Sequence, residues 1–314
     1  MPALQKIENE IQRIAAACNG TVGVGALHFE SNTRLAFNAA DPFPMASTYK
    51  VPIAAQLLTR VDAGDVKLKT MIDVAPSDLS PGGGIISAHF YQPGIALSVL
   101  NLLETTLTIS DNTASDRSLD LAGGQQMVNA FLKKAGIEGI RIDRDTKFII
   151  ADWLGIADLP PQDEWSLPRF KEREKDLTPE SKKDSSARFL ADRRDTATPH
   201  AMLSLLEKIY RKELLKEEST TLLLDIMARC QTGKARLKGM LPPETIVAHK
   251  TGTLPQVAIN DVGIIALPDG AGHIAIAVFV KSTENADTFI EDKEGEAVIA
   301  QIARAAYDFF LYSM

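Results

Sequence analysis

Apolar residues recur at helical spacing at the start of the chain. Leu4, Ile7, Ile11 and Ile14 share one face, and Gly20 suits the helix end. The period then falls to two. Val22, Val24 and Ala26 alternate with small residues, Ser31-Asn32 supplies a turn, and Leu35 and Phe37 belong to a return strand. From Ser47 to about Cys230 the pattern is mainly helical, with helices predicted over Val51 to Val61, Leu97 to Leu107, Gln125 to Lys134 and Pro199 to Leu215. Strands return at Thr245 to His249, Ala258 to Leu267 and His273 to Val280, the last two joined by a Pro268-Asp269-Gly270 turn. A final helix puts Val298, Ile299, Ile302, Ala306, Phe309 and Phe310 on one face.

Strands at both ends with helices between them predict an α/β plus all-α architecture. Residues 1–45 and 231–314 would build an antiparallel sheet flanked by helices, and residues 46–230 a helical domain inserted into it. Between Asp163 and Asp195 more than half of the positions are charged, with Pro168 and Pro179 among them. This predicts a long, solvated, partly helical insertion at about 145–195.

Bulk properties narrow the function. With 314 residues the chain can bury one large core or two modest ones. A formal charge of −7 and no long basic run argue against nucleic acid or an anionic membrane as partner. The apolar runs, such as Gly270 to Val280, are too short to span a bilayer. Lys6 and Glu8 interrupt the N-terminus, so no signal peptide is visible. Cys18 and Cys230 read as two buried free thiols, with one disulfide as the alternative. The five histidines are scattered, no cluster has zinc-site spacing, and no metal or cofactor is called for.

Three short motifs carry the chemistry: Ser47-Thr48-Tyr49-Lys50 at the start of a helical run, Ser110-Asp111-Asn112, and Lys250-Thr251-Gly252 at a strand end. A serine hydroxyl is a weak nucleophile and needs a base. Helix positions three apart face the same way, so Lys50 can reach Ser47. Lysine acts as a base only if burial or a second cation lowers its pKa, and Lys250 is the candidate cation. Ser110 could relay a proton to a leaving nitrogen, and Asn112 could hold a substrate amide. Backbone N–H groups at Ser47 and Thr253 could receive an oxyanion. Taken singly, the motifs also fit an N-cap, an Asx-turn and a strand-end turn.

The set resembles the signature of class A β-lactamases and penicillin-binding proteins, and the resemblance extends beyond it. Phe43-Pro-Met-Ala-Ser-Thr-Tyr-Lys50 is similar to the family's nucleophile segment, and Ser110-Asp-Asn-Thr-Ala114 to its second motif. Arg141-Ile-Asp-Arg144 and Arg194-Asp-Thr-Ala-Thr-Pro199 resemble the entry to and exit from its Ω-loop. Val247 to Thr253 and Asn260 to Gly270 resemble its terminal strands. The resemblance implies a serine hydrolase that opens β-lactams, or a related peptidase, amidase or esterase, or a module acylated once without turnover. It implies Ser47, Lys50, Ser110 and Lys250 as catalytic residues. Asn112, Thr251, Gly252 and Thr253 would bind substrate. Arg236, fourteen residues before Lys250, is either a carboxylate ligand or a solvated surface arginine. Arg144 and Asp195 would form a structural ion pair across the loop neck. The partner would be a small acyl substrate, the chain a monomer, and the compartment periplasmic or extracellular.

Three departures stand out. The family's deacylating glutamate falls at Thr146, and the asparagine that helps hold the hydrolytic water falls at Ile150. Threonine cannot serve as a general base at neutral pH, so acylation is better supported than release. Fifty residues separate Arg144 from Asp195 where the family has a short loop, and Glu164 or Glu180 could substitute as base. Gly82-Gly83-Gly84 occupies the usual place of an aromatic at the pocket rim, which suggests an open or mobile mouth.

Overall fold

A computed structural model describes residues 2–283 and 289–312. The chain opens with helix α1 (Pro2–Ala16), the hairpin β1 (Gly20–His28) and β2 (Thr33–Phe37), and the short strand β3 (Phe43–Pro44). After a single 3-10 turn at Ala46–Tyr49 comes α2 (Lys50–Ala63), then β4 (Met71–Val74), α3 (Ile85–His89) and β5 (Ile95–Ser98). Helices α4 (Val99–Thr108), α5 (Asn112–Ala122), α6 (Gly124–Lys134), α7 (Thr146–Leu154), α8 (Leu167–Lys175) and α9 (Pro179–Ala191) follow. Strand β6 (Thr196–Ala197) leads to α10 (Pro199–Tyr210) and α11 (Glu217–Ala228). Strands β7 (Val247–Leu254), β8 (Ala258–Ala266) and β9 (His273–Ser282) precede α12 (Asp292–Tyr312).

The main sheet is antiparallel with strand order β2-β1-β9-β8-β7, so its strands come from the two ends of the chain. Both faces are covered, which is why β9 is apolar almost throughout. Ile274, Ile276, Val278 and Val280 face α1 and α12, in one core with Ile11, Ile14, Ile299, Ile302 and Phe310. Ala275, Ala277 and Phe279 face the other way, into the core that continues through the helices of the middle segment. Helix α10 lies against β1 and β9 on that side.

Some predicted boundaries move. The predicted strand at Thr245 to His249 runs on to Leu254, so Lys250-Thr251-Gly252 lies within β7 and not at its end. The side chains there are polar yet buried, which hides the strand from a hydrophobic pattern. The helix predicted from Leu97 starts at Val99, because the Ser98 hydroxyl accepts from Asn101 N and caps it while Ile95–Ser98 pairs with β4. The helix predicted to reach Leu215 ends at Tyr210, and Lys212 turns the chain at φ +60°.

The charged insertion is more packed than its composition implies. Trp165, Leu167, Phe170, Phe189 and Leu190 are buried, and the Trp165 indole donates to Leu79 O at 2.7 Å. Arg144 and Asp195 pair at 2.6 Å across its neck, joined by Asp152 and Asp192. Cys18 and Cys230 are unbridged, and Cys18 is only half-buried. Among the described residues no helix is long and apolar enough to cross a membrane.

Candidate active site

Ser47 sits in the 3-10 turn that feeds α2, half-buried at the edge of a cavity of about 290 Å³. Ala46 before it is held at φ +47°, a conformation non-glycine residues adopt only under constraint. Two contacts impose it. Asn260 of β8 donates to Pro44 O at 2.8 Å and Met45 O at 3.0 Å. Gly252 of β7 lies so close that a Cβ there would come within 2.5 Å of Met45 O and 3.1 Å of Ser47 N. The strand backbone and the start of the helix therefore meet at Ser47.

Lys50 and Lys250 are both fully buried and converge on Ser110. Lys50 Nζ donates to Ser110 O at 2.8 Å, Ser110 Oγ at 3.2 Å and Asn112 Oδ1 at 2.8 Å. Those contacts turn Lys50 toward the second motif, and none of them is to Ser47. Lys250 Nζ reaches Ser110 Oγ at 3.0 Å. Burial drives the Lys50 pKa well below the usual lysine value, and the Lys250 cation lowers it further. Burial also brings Lys250 down to about 8. Ser110 is itself strained, at φ +61°. Its oxygen faces two cations, which leaves its proton free to donate elsewhere. Asn112 lines the cavity, but its amide is already engaged by Lys50 on one side and Pro81 O, at 2.8 Å, on the other.

The opposite wall is β7 with the segment after α11. Thr251 Oγ1 pairs with Thr232 Oγ1 at 2.6 Å. Arg236 is buried, so the reading of a solvated surface arginine is overturned. Its guanidinium donates to Gly252 O and Asn260 O, both at 3.0 Å, and to Thr253 Oγ1 at 2.6 Å. Arg236, Thr251 and Thr253 line the cavity, and among the described residues no acidic one does. The site is thus arranged to accept an anion.

The remaining wall carries the departures. Thr146, Ile149 and Ile150 line it. The Thr146 hydroxyl is hydrogen-bonded to Tyr49, whose hydroxyl lies 3.3 Å from Ser115 Oγ. Behind Thr146, the buried Asp116 carboxylate accepts from Thr146 N at 2.7 Å and Ser80 Oγ at 2.6 Å. Burial raises its pKa, and burial raises neighbouring Asp145, the cap of α7, to about 7. Glu164 and Glu180 are exposed and line no part of the cavity, so neither substitutes for the glutamate in this conformation. At the rim, Gly82 and Gly84 are needed for contact. A Cβ would meet Ile150 and Asn112 at 2.9 and 3.0 Å at Gly82, and the Asp111 carboxylate at 2.4 Å at Gly84.

All nine residues singled out in the sequence thus meet around one cavity or stand directly behind its walls. Sequence reasoning missed Thr232 and the Tyr49–Thr146 pair. Tyr49 was legible only as part of a motif, and Thr232 lies fifteen or more residues from the strand it serves. Ser47 and Ser110 line the cavity, and the buried Lys50 and Lys250 stand behind it.

The chain belongs to the beta-lactamase enzyme family, whose pattern it matches over residues 6–310. It is 30% identical to the extended-spectrum beta-lactamase PER-1 of Pseudomonas aeruginosa, covering 97% of this chain and 87% of that one. It is 29% identical to beta-lactamase VEB-1 of the same organism, over 96% and 89%. The crystal structure of a beta-lactamase from Chitinophaga pinensis superposes with a TM-score of 0.78 at 30% identity, covering 96% of this chain and 98% of that chain.

Proposed function

We propose that the protein is a class A-like serine β-lactamase with slow release of its acyl-enzyme. Neutral Lys50 takes the Ser47 proton as the hydroxyl attacks the lactam carbonyl, with the Ser47 and Thr253 amides receiving the oxyanion. Ser110 gives its proton to the lactam nitrogen as the amide bond breaks, and the lysines on either side restore it. Lys250, Thr251, Thr253 and Arg236 hold the substrate carboxylate, Gly252 lets strand and nucleophile approach, and Asn112 meets the side-chain amide. The convergence of Lys50 and Lys250 on Ser110 beside Ser47 carries this reading.

Water must then attack the serine ester, and among the described residues no carboxylate stands on the cavity wall to activate it. The apolar Ile150 also replaces a water-holding amide. We read the protein as a monomer working where β-lactams arrive, outside the cytoplasm.

The deciding experiment follows intact protein mass during incubation with a penicillin, alongside turnover of a chromogenic cephalosporin. A slowly decaying adduct with continuing turnover is expected. A permanent adduct without turnover would make the protein a β-lactam-binding module, and no adduct would point to a peptide or ester substrate.

A further inference from the structure

A second nucleophile stands behind the cavity wall, outside the acylation machinery. Cys230 follows α11 and keeps 7% of its surface exposed. Its Sγ lies 3.3 Å from Thr232 Oγ1, the hydroxyl that holds Thr251 on the wall. On its other side is His249 of β7, which is fully buried. His249 Nδ1 lies 2.9 Å from both oxygens of Asp261, itself fully buried and anchored by Leu237 N at 3.2 Å. That carboxylate fixes a proton on Nδ1. Nε2 is buried and makes no hydrogen bond, and the Cys230 thiol is a neighbour that acts on the imidazole electrostatically. Sulfur, imidazole and carboxylate are thus buried neighbours, and the Lys250 ammonium also acts on the thiol.

The charges agree with this geometry. Burial opposes a charged His249, but Asp261 and Cys230 raise its pKa to about 9. Burial likewise pushes the Cys230 thiol up, but His249 and Lys250 bring it down to about 7. Cys18 is the natural contrast, because burial raises its thiol and the nearby Glu294 adds to the shift. A thiolate held by an imidazolium is the reactive form of cysteine.

We propose that Cys230 is a modification site for small peroxides, with His249 as its proton donor and Asp261 orienting the imidazole. The thiolate attacks one oxygen of hydrogen peroxide and the O–O bond breaks. Sulfur is oxidised to the sulfenic acid, and the departing hydroxide takes the His249 proton and leaves as water. The added oxygen crowds Thr232 and disturbs the Thr232–Thr251 pair on the substrate wall. This last consequence rests on the β-lactamase reading; the reactivity of the thiol does not.

The test treats the native protein with hydrogen peroxide in the presence of dimedone, which traps sulfenic acids, and maps the label by peptide mass. Cys230 should be trapped and Cys18 spared, with label kept in Cys18→Ser and lost in Cys230→Ser. His249→Gln, checked for folding by thermal unfolding, should slow trapping severalfold. Peroxide should lower cephalosporin turnover severalfold, a thiol reductant should restore it, and Cys230→Ser should resist the loss. An unlabelled Cys230, or Cys18 trapped as fast, overturns the proposal. Labelling without loss of turnover overturns its consequence for the wall. Absence of turnover before treatment overturns the β-lactamase reading and leaves the labelling result to decide the site.

Discussion

Ser47 lies at the cavity edge in the turn that leads into Lys50, and we take its hydroxyl as the nucleophile that the first motif names. Ser47→Ala should therefore abolish covalent labelling by penicillin, as read by intact mass; surviving label would place the nucleophile elsewhere. Thr146 poses the opposite problem, because its hydroxyl is tied to Tyr49 and offers water no base. Thr146→Glu should shorten the life of the acyl-enzyme by tenfold or more (about 1.4 kcal/mol of barrier), while leaving acylation nearly unchanged. Single-turnover kinetics separate the two steps, and an unaltered deacylation rate would show that the missing carboxylate is not what limits release. The two lysines set the pH dependence. Lys50 must be neutral to take a proton, so acylation falls as acid returns its proton. Lys250 must be charged to hold a carboxylate, and with a pKa of about 8 it loses that charge as pH rises. The acylation rate should fall in acid as Lys50 gains its proton and fall again above pH about 8; a rate still climbing at pH 9 would show that the Lys250 charge is not needed.

The alternation of β7 explains how one strand serves three tasks. Lys250 and Gly252 point to Ser110 and the nucleophile turn, while His249, Thr251 and Thr253 point to Asp261, Thr232 and Arg236. Gly252 is the most constrained of these, since any Cβ strikes the backbone of Met45 and Ser47. Gly252→Ala should cost about 1–3 kcal/mol of stability through overpacking and slow acylation more than a stability loss alone would. Thermal unfolding with acylation kinetics checks both, and a variant that acylates normally would show that the turn tolerates displacement. The motif residues of β7 were legible as letters, but the strand itself was not. A polar run buried by partners from other elements looks like a strand end. Nothing in the sequence pattern links His249 to Asp261, since the sheet register brings them together.

On the scale of the molecule, the order of elements was readable because each long helix and strand keeps its own apolar period. The insertion was not, because sparse apolar residues amid 155–192 carry its packing while the charges dominate its composition. Trp165 is the anchor. It lies tilted against Phe170 with ring centres 5.5 Å apart, lies 4.4 Å from the Lys147 ammonium and donates to Leu79 O. Leu79 lies just before Pro81 and Gly82, which hold Asn112 at the cavity rim. Residues 155–192 therefore brace the mouth of the site from outside, while Thr146, Ile149 and Ile150 at the start of the insertion line it. Trp165→Ala should remove roughly 3–5 kcal/mol of stability. It should also weaken substrate capture at the rim, raising KM more than it lowers kcat, because Asn112 loses support while Ser47 and the lysines keep theirs. Unfolding and steady-state kinetics on the same variant decide the matter. A stability loss with unchanged KM would make the insertion a cover for the helical core alone, without influence on the mouth.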